Sequence, residues 1–99
     1  MRLNDQQRQI AQQAVLTHFG PNARVWLFGS RAHDDRRGGD IDLYVETDPR
    51  EDLLRAEART ILEIQQALGD QRIDLVTHVR GRPRKAIDRI ARETGIELR

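Results

Sequence analysis

The sequence contains no cysteine, which excludes disulfides, thiolate metal centres and a cysteine nucleophile and agrees with a reducing compartment. Any bound metal is left with oxygen or imidazole donors. Long apolar runs are missing too: no segment approaches the ~18 apolar residues of a membrane span, and the amino terminus is polar and glutamine-rich, without the apolar stretch of a signal peptide. The expectation is a soluble, cytoplasmic protein with no membrane contact. Net charge is scarce, since 17 Lys+Arg against 16 Asp+Glu leave +1, and such a total gives no reason to infer a nucleic-acid binder. Aromatic residues make up only 4%, and none is interleaved with the dense basic run Arg80, Arg82, Arg84 and Lys85. That run reads first as a solvated face, then as a contact to a nucleotide or an acidic partner, with RNA a minor option. His18, His33 and His78 share no metal-ligand spacing. Repeats, low-complexity tracts and internal linkers are also missing. What remains is 99 residues with 37% hydrophobic content, read as one domain over 1–99 with a modest core.

Apolar periodicity divides the chain. Ile10, Ala11, Ala14, Val15 and Leu16 lie at helical spacing within residues 4 to 18, with Asn4 or Asp5 to cap the start and Gly20-Pro21 to stop the helix. Val25 to Phe28 is a short β-branched and aromatic run ended by Gly29, which predicts a buried strand. Residues 30 to 33 suit a short helical turn, and Asp34 to Gly39 a charged loop. A second strand is expected over Asp40 to Glu46, with Ile41, Leu43 and Val45 on one face and Asp40, Asp42, Tyr44 and Glu46 on the other. A long helix over roughly 50 to 68 is predicted to bury Leu53, Leu54, Ala58, Ile61, Leu62, Gln65 and Leu68 and to end at Gly69. Arg72 to His78 alternates again as a third strand, Pro83 to Glu93 closes as a helix, Gly95 stops it, and Ile96-Glu97-Leu98 is a short tail.

The residues with chemistry fall at two strand ends. Asp40 and Asp42, spaced i, i+2, share one strand face, and Asp74 has the parity opposite to Ile73 and Leu75, so three carboxylates meet if the strands pair. Like charges a few ångströms apart repel, and a divalent cation reverses the sign of that interaction. All-oxygen ligation suits Mg²⁺ or Mn²⁺. Two such ions, ~3.5–4 Å apart, clamp the attacking and leaving oxygens of an in-line phosphoryl displacement. The alternative is a set of solvated surface acids. Gly29 permits close backbone approach, and Ser30 either caps a helical turn or opens an anion cradle, two roles that coexist. Arg31, Arg36 and Arg37 are candidate phosphate contacts, Arg31 the first among them. His33 and Tyr44 are secondary candidates for substrate contact.

Gly29-Ser30-Arg31-Ala32, a short polar loop and then Gly39-Asp40-Ile41-Asp42-Leu43 together resemble the signature of the DNA polymerase β-like nucleotidyltransferases. The size and order of elements are similar to the minimal nucleotidyltransferases of prokaryotic toxin–antitoxin pairs, over nearly the whole chain. Many minimal members carry Ser before the first acid and Gly two residues after the Ala, where this chain has Gly39 and Asp34, with Arg36 and Arg37 close enough to offset Asp34. The resemblance implies an α/β (α+β) fold, a small mixed three-stranded sheet backed by about four helices. It further implies metal at Asp40, Asp42 and Asp74, which are also the catalytic residues, and nucleotide binding at Gly29, Ser30 and Arg31, with ATP as donor. With no room in 99 residues for a second domain to bind the acceptor, the expectation is an acceptor from another chain or at an oligomer interface. The family points to a helical HEPN-type RNase toxin, AMPylated on a tyrosine by its antitoxin. The other readings are an antitoxin that acts by stable complex formation and a transferase for a small molecule.

Overall fold

The computed structural model describes residues 4–29, 41–69 and 71–99. Helix α1 (Asp5–Phe19) starts where Asn4 and Gln7 cap one another: the Gln7 N–H donates to the Asn4 side chain at 2.8 Å and the Asn4 N–H to Gln7 Oε1 at 2.9 Å. It ends at Gly20, whose φ of 100° suits glycine. Strand β1 (Arg24–Phe28) and strand β2 (Ile41–Thr47) follow, then helix α2 (Leu53–Leu68), strand β3 (Ile73–Val79), helix α3 (Ala86–Thr94) and strand β4 (Ile96–Leu98).

The strands form one mixed sheet in the order β3-β2-β1-β4. β1 pairs antiparallel with β2 and β4, whereas β2 pairs in parallel with β3. A parallel pair needs a crossover, and α2 supplies it. One sheet face is apolar: Val25, Leu27, Ile41, Leu43, Val45 and Ile73 pack with Ala11, Ala14 and Val15 of α1 and with Ala56 and Ile64 of α2. Fully burying each large aliphatic side chain contributes roughly 1.5–3 kcal/mol, so this layer holds the fold together. On the opposite face Trp26 and Tyr44 pack beneath Ala91 of α3, their rings 5.5 Å apart and tilted at 57°.

Two expectations need correction. The Ile96–Leu98 tail is a fourth strand, because the free edge of β1 accepts it, with Val25 opposite Leu98 and Leu27 opposite Ile96. Among the described residues the sheet therefore has four strands and is backed by three helices; the expected turn at 30–33 lies outside those residues. The buried face of α2 differs in part from the expected stripe: Leu53, Ile61 and Leu68 pack against the core as expected. Leu54 and Leu62 are 80% and 54% exposed, while Ala56, Thr60 and Ile64 are buried. Thr60, which lay outside the expected stripe, tolerates burial because its hydroxyl donates to the Ala56 carbonyl at 2.7 Å.

Candidate active site

The sheet face carrying Trp26 and Tyr44 is built in rows set by strand register. At one end Phe28 of β1 stands opposite Asp42 of β2, and Asp42 opposite Asp74 of β3. Neighbouring strands lie about 4.8 Å apart, so two carboxylates project side by side from adjacent strands. Both acids are intermediate in burial. Arg72 Nε approaches Asp74 Oδ1 at 3.4 Å, with both side chains well exposed, a pairing worth little in water.

Gly29 completes this end. Its φ is 75°, and a Cβ there would collide with Asp42 Oδ2 and lie 3.2 Å from the carboxyl carbon. A side chain at Gly29 would therefore have to push the Asp42 carboxylate aside as well as strain the backbone, and glycine does neither. This is a close approach between the turn after β1 and an acid of β2.

The donor set fits a hard divalent cation: two carboxylates from adjacent strands beside a turn that any side chain would block. Asp40, Ser30 and Arg31, together with His33, Asp34, Arg36 and Arg37, lie outside the described residues. Among the described residues no group of three His, Cys, Asp or Glu is arranged to hold a metal ion; the structure brings together the pair Asp42 and Asp74, with Gly29 against it.

The middle row is Trp26, Tyr44 and Val76. Tyr44 is wholly buried, and its hydroxyl has no hydrogen bond of standard geometry among the described residues. Burial, then the negative charge of Asp88, pushes its pKa up from 10.0 to about 12. Asp88 is itself buried and accepts the Lys85 N–H at the start of α3. Tyr44 is thus a packing residue under α3.

The far row contains a group with little signature in the sequence. Glu46 lies opposite Arg24 and His78 in register, and its side chain is only 6% exposed. Arg92 Nη1 donates to Glu46 Oε2 at 3.1 Å, Arg84 Nη2 lies 3.3 Å from the same oxygen, and Arg80 Nε lies 3.4 Å from Oε1. His78 Nδ1 is 3.5 Å from Oε2. Arg80 also grips Asp48 at 2.9 Å and the Asn22 carbonyl at 2.7 Å. Half of the basic run is therefore tied to a buried acid. The signal available was an acid at the apolar-flanked end of a strand together with several arginines, but nothing local joins positions 46, 80, 84 and 92.

No curated protein is significantly similar to the chain. A family model described as a nucleotidyltransferase domain matches residues 8–96, a span that includes α1 from Arg8 onward, strands β1 to β3 and the Gly29, Asp42 and Asp74 site. The chain belongs to the nucleotidyltransferase domain family, of the polymerase β-like superfamily.

Proposed function

We propose that this nucleotidyltransferase is a metal-dependent protein adenylyltransferase that acts as an antitoxin, moving AMP from ATP to a tyrosine hydroxyl of a helical HEPN-type RNase toxin. The observation that supports it most is the in-register Asp42–Asp74 pair with Gly29 closed against Asp42. Asp40, Asp42 and Asp74 would hold Mg²⁺, or Mn²⁺ in its place. When bound, such ions neutralise charge that develops on the phosphates and on the attacking and leaving oxygens. The chain's own part is positioning. Gly29 keeps side chains out of the phosphate approach, with Ser30 and Arg31 as the proposed triphosphate contacts. Asp74 accepts the proton of the acceptor hydroxyl as its oxygen bonds to the α-phosphorus, and the bond to pyrophosphate breaks.

The test is intact-mass spectrometry of a neighbouring helical candidate toxin with an Arg-x4-6-His motif, incubated with substoichiometric protein, ATP and Mg²⁺. Addition of AMP to most of the toxin is expected. An unchanged mass with a co-eluting stoichiometric complex contradicts catalysis and favours neutralisation by occlusion. That second reading has an observation of its own: Leu54 and Leu62 are large, exposed apolar residues on α2, available to a protein partner.

A further inference from the structure

A concavity of about 560 Å³ lies along α3, lined by Arg84, Lys85, Ala86, Arg89, Arg92 and Glu93. Neither Asp42 nor Asp74 lines it. Its position beside the Glu46 row puts it roughly 13 Å along β2 from Asp42, at about 3.3 Å per residue. Four of its lining residues are cationic and one is acidic. The volume falls in the range of small-molecule sites.

A row of surface cations is ordinarily a solvated face, so what matters is whether the guanidinium groups are held. Two of them are. Arg84 and Arg92 both converge on Glu46 Oε2, at 3.3 and 3.1 Å, and the Arg92 guanidinium also lies 5.2 Å from the Trp26 ring centroid. A buried carboxylate and an aromatic face thus fix side chains that would otherwise lose rotamer freedom on binding. Arg89 is exposed and has no ion pair among the described residues. Of the three arginines around Glu46, Arg80 is also paired with Asp48; the four cations of the lining face only Glu93 and Glu46, which leaves positive charge in excess there.

We infer that this concavity is an anion-binding site, separate from the Asp42–Asp74 pair, that takes the phosphates of a small polyphosphate ligand. Guanidinium forks match phosphate oxygens two at a time. The small size follows from the fold: the nine-residue helix α3 is only about 13 Å long at 1.5 Å per residue, and Glu93 closes one part of the lining with negative charge. Trp26 and Tyr44, the aromatic residues beneath α3, are buried, so no base-stacking platform of the kind single-stranded nucleic acids use is exposed on them.

The probe is inorganic pyrophosphate, titrated without divalent metal and followed by backbone amide chemical shifts. Saturable shifts across residues 84–93 are expected. Arg89→Glu should weaken them at least about tenfold, equivalent to about 1.4 kcal/mol. Arg82→Glu is the matched control: it makes the same charge change on an exposed side chain that lines a different cavity, and should alter the affinity less than about twofold. Shifts confined to Gly29 and residues 41–42 and 73–74, no shift at residues 84–93, or equal weakening by both variants would each overturn the site.

Discussion

Strand β2 carries two acids on the same face, four residues apart, in opposite surroundings. Asp42 stands beside another carboxylate, Asp74, at one end of the sheet, next to a glycine turn. Glu46 is buried at the other end among Arg80, Arg84, Arg92 and His78. A carboxylate set beside a carboxylate is disfavoured by like-charge repulsion that a cation would relieve, which suits the metal-binding role proposed for this pair. A carboxylate ringed by guanidinium groups is already compensated and serves the fold. The side-chain type is nearly the same; register and the placement of α3 decide which role each acid has.

The largest expected effect comes from breaking the first environment. Asp42→Asn should lower nucleotidyl transfer by at least about 100-fold, as loss of a group stabilising transition-state charge does, while circular dichroism stays native. Retained transfer would remove Asp42 from the mechanism. Breaking the second environment should cost stability instead. Glu46→Ala leaves Arg92 and His78, both largely buried, without their shared acid, and denaturant unfolding should report a loss of about 2–3 kcal/mol, below the full cost of a wholly buried pair because Arg84 and Arg80 reach water. A loss under 0.5 kcal/mol, on the scale of an ordinary surface substitution, would show that Glu46 does not organise the cluster.

Gly29→Ala is expected to fall between the two classes. The left-handed φ and the collision with Asp42 should cost about 1–2 kcal/mol and displace the Asp42 carboxylate, so that unfolding and transfer assays both register it. Wild-type stability together with wild-type transfer would refute the close packing.

The smallest effect concerns the row between the two acids. Tyr44 is the single tyrosine of the chain, so absorbance at 295 nm reports it alone. Its pKa is raised, so the folded state favours the neutral phenol. The associated stability is full below pH 10, its unfolded value, and is lost as pH rises through about 12. Ionisation of the native protein near pH 10 would contradict burial under α3.

Much of this comparison was legible in the sequence, for definite reasons. Strand parity placed Asp42 and Asp74 on one face, and Ile41, Leu43, Ile73 and Leu75 on the other, because side-chain alternation in a strand is fixed by covalent geometry. The glycine after an apolar run located the turn at Gly29. Longer-range effects were not legible. β4 is only three residues long and exists because β1 has a free edge. On α2, Leu53, Ile61 and Leu68 of the expected stripe pack on the core, but Leu54 and Leu62 face away, whereas Thr60 satisfies its hydroxyl within the helix and goes inside. Tyr44 shares the parity of the acids yet is covered, since only the packing of α3 decides how far along that face water reaches. Glu46 has the same strand parity as Asp42, and its burial was not legible because its partners come from positions 80, 84 and 92, which only the folded sheet and α3 assemble.

The most direct test of the contrast is a Mg²⁺ titration of the wild-type protein read residue by residue from backbone amide shifts. The account predicts saturable shifts centred on Asp42 and Asp74, with Glu46 and His78, roughly 13 Å further along the strands, unmoved. Shifts of equal size at both ends of β2, or none at Asp42 and Asp74, would contradict it.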